Sequence, residues 1–199
     1  AIFSNVRIII PVHPDYRPYR EYIGSHLEVM DIATGKRKIL HSVPNSIQAP
    51  NWTKDGKHLI YNSSAGVLYK YALADGKIEE LNTGAIRSNN NDHVISFDGK
   101  NLAISHHVGE KRTSTLYTLP ITGSDMPRQI TSPDSGHSYL HSWSPDGKKL
   151  IFTGQRRGQY DIWAIDIATK KETALTNSKT LDDGPEYSPN GQWIYFNSV

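Results

Sequence analysis

Ten polar side chains that could bind a ligand or do chemistry stand at related positions, shortly before four similar turns. They are amides, imidazoles and carboxylates, groups that hold divalent metals or transfer protons. Because they are far apart in the chain, only a repeated fold could bring them to one opening. The candidate ligand-binding residues are Gln48, Asn51, Asn90, Asp92, His93, His137, His141, Asp182, Asp183 and Glu186.

Two histidines, His93 and His141, occur three residues before the turn serine in neighbouring repeats. Together they could hold a divalent metal or act as a base, with Asp183 or Glu186 assisting as further catalytic candidates. The same spacing is also explained if both imidazoles hydrogen-bond the backbone of adjacent repeats, since buried polar groups are normally satisfied. The sequence therefore leaves open a divalent metal at His93 and His141, or no cofactor and a structural role.

The turns themselves share the pattern Ser/Thr-x-Asp/Asn-Gly, and their glycines are 43, 48 and 44 positions apart. Asp-Gly and Asn-Gly close tight hairpins because they tolerate positive φ. Asp55, Asp98 and Asp146 are therefore expected to form turns first. A period of this length suits one four-stranded sheet per repeat. The four turns are Thr53–Gly56, Ser96–Gly99, Ser144–Gly147 and Ser188–Gly191.

Alternating apolar residues follow each turn, as in Leu150–Thr153 and then Tyr160–Ile167. This period of two predicts strands, and Gly or Pro interrupts most windows that could be helical. We predict an all-β fold, a β-propeller of four-stranded antiparallel blades, in a single domain over residues 1–199. Residues 1–25 are predicted to hold a strand at Val6–Ile10 and an entry loop. The full repeats are predicted at about 46–81, 82–130 and 131–175, with partial repeats at 26–45 and 176–199.

About four blades are thus present, and the partial repeats permit two architectures. The C-terminal inner strands could pair beside the N-terminal outer strands and close a four-bladed ring, which is the low limit for propellers. We favour part of a larger, six-bladed ring, because repeat arrays without neighbours leave a sheet face exposed. In that case a second chain or a further segment would complete the ring.

Composition narrows the function classes. The chain has 199 residues, 22 basic and 20 acidic side chains and a net charge of +2, so neither nucleic acid nor an anionic membrane is an indicated partner. It has no cysteine and no apolar run long enough to insert in a membrane. Ala1–Ile10 does not have the form of an intact signal peptide. His106, His107 and Arg112 are predicted to lie in a solvated hairpin loop.

The Ser-Pro-Asp-Gly repeats, followed by Lys148–Phe152 and later by Tyr160–Trp163, resemble the WD-like repeats of the TolB β-propeller family. The resemblance covers roughly Leu27 to the end, and we find no counterpart of the N-terminal α/β domain of TolB proteins in this sequence. TolB proteins are periplasmic components of the Tol-Pal envelope system. The resemblance therefore implies a periplasmic or secreted protein.

The same resemblance implies a function. A TolB-like propeller is expected to bind a protein or a polymer at the mouth of its channel without catalysis. Similar repeats occur in oligogalacturonate lyases, which use a histidine-held metal, and in propellers of prolyl-oligopeptidase-like peptidases. The alternative is therefore a metal-assisted enzyme acting on an oligosaccharide through the histidines and carboxylates of the channel mouth. The expected partner is accordingly a protein or an oligosaccharide.

Overall fold

The protein is described by a computed structural model that covers residues 14, 15, 17 and 24–199. The strand predicted at residues 6–10 and most of the entry loop lie outside these described residues. Within them the fold is all-β, as predicted, and the sole helical segment is a 3-10 turn at Pro133–Ser135. That turn is far too short to span a bilayer, and no helix in the described part of the chain meets that requirement.

The described residues form sixteen strands. Their bounds are β1 Ser25–Met30, β2 Arg37–Val43, β3 Ile47–Trp52, β4 His58–Ser63, β5 Leu68–Ala72, β6 Ile78–Glu80, β7 Asn89–Ile95, β8 Asn101–Val108, β9 Thr113–Pro120, β10 Arg128–Gln129, β11 Ser138–Trp143, β12 Lys149–Arg156, β13 Gln159–Asp166, β14 Glu172–Ala174, β15 Asp182–Tyr187 and β16 Ile194–Ser198.

These strands build three four-stranded antiparallel sheets, each a simple meander in chain order. We call them blade 1 (β3–β6), blade 2 (β7–β10) and blade 3 (β11–β14). Two further two-stranded sheets flank them, the N-terminal hairpin (β1–β2) and the C-terminal hairpin (β15–β16). The two hairpins are separate sheets, so the described residues form part of a propeller and not a closed four-bladed ring.

The hydrophobic core lies between adjacent sheets and not within any one of them. A twisted sheet has two faces, and each apolar face is covered by the next blade. Blades 2 and 3 enclose one cluster around Phe152 and Leu116. Blades 1 and 2 enclose a second around Ile60 and Ile104. Leu27 of the N-terminal hairpin joins a third cluster on blade 1.

The four turns have the same hydrogen bonds, which explains the conservation of their pattern within this chain. In the turn of blade 3, Ser144 Oγ donates to Asp146 Oδ1 at 2.6 Å and accepts from Lys149 N at 2.9 Å. Asp146 Oδ1 also accepts from Lys148 N at 3.1 Å. Gly147 follows with a φ of 71°. These contacts lower the pKa of Asp146, chiefly through Ser144, and they confirm that the repeated aspartates are turn formers.

Each innermost strand is interrupted by a β-bulge, and the bulges differ between blades. In β11, His141 is the extra residue between the pairs Leu140–Phe152 and Ser142–Ile151. In β7, by contrast, three residues lie between the paired residues Asn89 and His93, and they face a single residue of β8. Bulges bend a strand and redirect its side chains. These interruptions decide which side chains reach the inner edge of the sheets.

Candidate functional site

A cleft of about 650 Å³ opens where the inner strands of blade 2, blade 3 and the C-terminal hairpin meet. We call it the inner cleft. Its volume lies within the range of pockets that hold small ligands or peptide side chains. It is lined by Asn90, Asn91, Asp92, His107, Tyr139, His141, Thr153, Tyr160, Leu181 and Asp183.

The bulges supply the polar floor of the inner cleft. Asn90, Asn91 and Asp92 all belong to the long bulge of β7. His141 is the bulged residue of β11, and Asp183 of β15 pairs with Asn197 immediately before the bulge in that strand. Because bulged residues leave the regular alternation of a strand, their side chains can point where a ladder residue could not. Most polar residues of the cleft therefore lie in or beside irregular pairing, whereas His107 and Thr153 belong to regular ladders.

Asp92 is the most perturbed carboxyl group of the cleft. Burial raises its pKa from 3.8 to about 7, a hydrogen bond from Asn90 opposes this, and the charge of Asp183 adds to it. Asn90 Nδ2 donates to Asp92 Oδ2 at 2.9 Å, and Asp92 N donates to Asn90 Oδ1 at 2.9 Å. Asp92 is thus held in place yet poorly compensated in its charged form.

Asp183 also lines the cleft and is held by blade 3. Its Oδ1 accepts hydrogen bonds from Thr153 Oγ1 at 2.7 Å and from Gly184 N at 2.8 Å. His141 Nε2 lies 3.4 Å from the same oxygen. Burial lowers the pKa of His141, although Asp183 acts in the other direction. The imidazole is therefore neutral near pH 7.

Two tyrosines form an aromatic wall. The rings of Tyr139 and Tyr160 are 6.5 Å apart and inclined by 33°. His137 stacks on Tyr139, with ring centroids 5.6 Å apart and an angle of 4° between the ring planes. Burial raises the pKa of Tyr139, with smaller contributions from Tyr160 and from the charge of Asp92. An aromatic surface thus stands beside a carboxylate.

His93 does not line the inner cleft. It is only 3% exposed, and its Nε2 donates toward Ile60 O of blade 1 over 3.3 Å. Burial lowers its pKa to about 4, so the ring is neutral at physiological pH. Asn51 is also structural, since its Nδ2 donates to His93 O at 3.1 Å. The expectation that His93 would face an open channel mouth is therefore wrong.

Other predicted site residues are used within or between sheets. Gln48 accepts a hydrogen bond from Asn62 Nδ2 at 3.3 Å. His137 Nδ1 accepts from Ser114 N of blade 2 at 3.1 Å. Asp182 is buried and accepts from Ser198 Oγ at 2.7 Å. Glu186 is exposed outside the cleft, and burial of part of its carboxyl raises its pKa. Of the ten predicted residues, Asn90, Asp92, His141 and Asp183 line the cleft.

Six lining residues were not among the predicted site residues. His107 was expected in a solvated loop, but it lies in β8, one residue before the end of that strand, and its Nδ1 donates to Arg112 O at 3.0 Å. Thr153 and Tyr160 belong to strands that were predicted correctly but were not expected to face the inner edge. The aromatic run beginning at Tyr139 was the one usable signal in the sequence, because aromatic rings beside polar groups favour binding surfaces.

The described residues contain no group of three or more histidine or acidic side chains that could hold a metal ion. A site for a divalent cation ordinarily needs several such ligands. Of the proposed pair, His141 lines the cleft and His93 is bonded to Ile60 O. A metal held jointly by His93 and His141 would require both imidazoles at one opening, and this geometry does not favour that form of the enzyme hypothesis.

Successive antiparallel four-stranded sheets that pack face to face, with their first strands around a shared cleft, define the β-propeller class. Residues 109–199 match the family model described as the TolB beta propeller domain. An uncharacterised protein of Agrobacterium fabrum is 45% identical over 175 residues, which are 87% of this chain and 58% of that protein. The Tol-Pal system protein TolB of Francisella tularensis is 26% identical over 90% of this chain and 42% of its own length.

Solved structures agree. A protein of Agrobacterium tumefaciens assigned to TolB superposes with a TM-score of 0.79 at 45% identity, covering 86% of this chain and 60% of that one. TolB of Acinetobacter baumannii gives 0.72 at 22% identity, over 86% and 42% of the two chains, and supports the fold alone. The fold is thus that of a β-propeller, and the chain is similar to TolB proteins in sequence and structure. It spans roughly half the length of the relatives it matches.

Proposed function

We propose that this protein is a binding module of a Tol-Pal type system that receives a segment of a partner protein in the inner cleft, in the periplasm. The inner cleft is the observation that carries the proposal. It is large enough for several side chains, and it combines aromatic rings with amides and carboxylates in the manner of protein recognition sites. The relative in Francisella tularensis bears the name of a Tol-Pal system protein, and this supports the choice of partner.

The test uses the Pal component from the same organism and isothermal titration calorimetry. Wild-type protein is expected to bind Pal, and Tyr160→Ala is expected to weaken binding by about tenfold or more, since buried aromatic anchors dominate interfaces. Tyr195→Ala is the matched control, because Tyr195 is 64% exposed on β16, outside the cleft. Its affinity should equal that of the wild type.

Two results would contradict the proposal. One is the absence of Pal binding by the folded wild-type protein. The other is equal loss of affinity in Tyr160→Ala and Tyr195→Ala, which would place the interface away from the inner cleft. Circular dichroism of each variant establishes that the all-β fold is retained.

A further inference from the structure

The two carboxylates of the inner cleft each retain an oxygen without a hydrogen-bond donor. Oδ2 of Asp92 accepts from Asn90, and Oδ1 of Asp183 accepts from Thr153 and Gly184. Among the residues that the structure describes, none donates to Asp92 Oδ1 or Asp183 Oδ2. Free carboxylate oxygens facing a cavity are acceptors for a ligand that carries donors.

The charge of the cleft is correspondingly negative. The titratable groups that line it beside the two aspartates are His107, His141, Tyr139 and Tyr160. Burial lowers the pKa of both histidines, so both rings are neutral near pH 7. No lysine or arginine lines the cleft among the described residues. A cation entering here would meet no positively charged side chain of the lining. It would lower the pKa of Asp92, which burial raises to about 7, and so favour the charged form of that carboxyl group beside Asp183.

The aromatic wall narrows the kind of cation. Tyr139 and Tyr160 line the cleft together with Asp92, whose charge acts on the Tyr139 hydroxyl. Planar guanidinium groups stack on aromatic ring faces and donate several hydrogen bonds in a fixed fork, whereas an ammonium group is a compact and strongly hydrated charge. A metal ion is less suited, because the described residues provide no group of three acidic or histidine ligands.

We propose that the inner cleft recognises an arginine side chain of the partner segment, with the guanidinium between the tyrosine wall and the carboxylates of Asp92 and Asp183. This inference rests on the proposed function, since it names the chemical group of the partner that the cleft would bind. Asn90 and Thr153 act as positioning residues because each holds one carboxylate. The neutral histidines leave the attraction unopposed.

The test compares two blocked tripeptides that differ in one group, with arginine or its uncharged isostere citrulline between two glycines. Each is titrated into the intact protein, and binding is followed by NMR shifts of the tyrosine rings. The arginine peptide should bind about tenfold more tightly than the citrulline peptide. Asp92→Asn and Asp183→Asn should each remove most of that preference while leaving citrulline binding unchanged.

Two matched variants separate recognition from general effects. Tyr160→Phe keeps the ring face and should retain the preference, whereas Tyr160→Ala should lose it. Asp75→Asn removes an equal charge from an exposed turn of blade 1, where Asp75 accepts from Lys77 N, and should change nothing. Equal binding of the two peptides, or an equal effect of Asp75→Asn and Asp92→Asn, would overturn the inference.

The two proposals can fail separately. If Pal binding depends on Tyr160 but the protein does not prefer arginine over citrulline, the arginine inference alone is wrong. If the arginine preference depends on Asp92 and Asp183 but Pal does not bind, the choice of partner is wrong and the cleft chemistry stands.

Discussion

His93 and His141 stand three residues before the turn serine in adjacent blades, and they have different roles. His93 is in register with Ile104 and is buried against blade 1. His141 is an extra residue in a bulge, and it faces the inner cleft beside Asp183. A residue in the ladder keeps the alternation of its strand, whereas a bulged residue does not. Equivalent positions in a repeat therefore do not guarantee equivalent environments.

The comparison extends to the flanking inner strands. In β3 and β15 the residue three positions before the turn Ser/Thr is a proline, Pro50 and Pro185. The residue before each proline has a left-handed backbone: the φ of Ala49 is 47° and that of Gly184 is 66°. Proline cannot donate to the ladder, so it is tolerated where pairing is interrupted. The bulges of β7 and β11, which contribute Asp92 and His141, thus differ in residue type from the proline-containing bulges of β3 and β15.

The largest expected effect on stability is that of substituting His93. Substitution by alanine removes a buried ring and leaves Ile60 O without its donor, so His93→Ala should lower the free energy of unfolding by about 3 kcal/mol. His141→Ala should cost less than about 1 kcal/mol, since its pair with Asp183 is partly exposed. Urea denaturation of both variants measures the difference. Equal losses would contradict the distinction between ladder and bulge.

The pH dependence of stability separates His93 from Asp92. The pKa of His93 is about 4 in the folded state and 6.5 ordinarily. Between these pH values the unfolded chain therefore binds a proton at this histidine that the native protein does not bind. This contribution to stability is therefore lost as the pH falls from 6.5 toward 4, by up to roughly 3 kcal/mol. The raised pKa of Asp92 acts oppositely, since its contribution is lost as the pH rises from 3.8 through about 7.

In the wild-type protein these contributions partly offset each other. His93→Gln should therefore lose less stability than the wild type on acidification from pH 7 to 4.5, and Asp92→Asn should lose more. The measurement is the unfolding free energy of all three proteins across that range. The pKa values of the turn aspartates Asp98 and Asp146 are lowered, so their contribution to stability is lost below this pH range. All three proteins contain these aspartates, so they do not affect the comparison. Parallel curves would show that neither buried group titrates as described.

A smaller effect is expected from Asp92→Asn at pH 8. The amide keeps the contact with Asn90 and removes the poorly compensated charge, so the variant should be more stable than the wild type by about 1 to 2 kcal/mol, allowing for partial exposure. Thermal unfolding at pH 8 measures this. Because the same change should weaken binding of the arginine peptide, a gain in stability accompanied by a loss in binding would mark Asp92 as a binding residue. A loss of stability would mark it as a structural one.

The smallest expected effect concerns the proline-containing bulges. Ala49→Gly should stabilise the protein by about 1 kcal/mol, because glycine relieves the left-handed backbone. Gly184→Ala should destabilise it by a similar amount, since the added Cβ would also lie 3.0 Å from Asn197 Nδ2. Urea denaturation of the two variants checks the pair. Effects of the same sign would contradict the equivalence of the two bulges.

The sequence predicted the fold well and the site in part. The Ser/Thr-x-Asp/Asn-Gly turns and the apolar alternation after them predicted the strands and their sheets, since both signals are local. Counting back from those turns selected Asn90, Asp92, His141 and Asp183, which line the cleft. The same counting placed His93 there incorrectly, because the spacing of the turns does not determine how β7 pairs with β8.

Turn chemistry and strand periodicity were determined by the sequence alone, because each depends on neighbouring residues and on backbone preferences. The composition of the inner cleft was decided by the tertiary structure. It depends on where each inner strand bulges and on which blade packs beside it, as when Thr153 of blade 3 holds Asp183 of the next hairpin. Such contacts join residues far apart in the chain, so their geometry follows from packing between sheets and not from any local pattern.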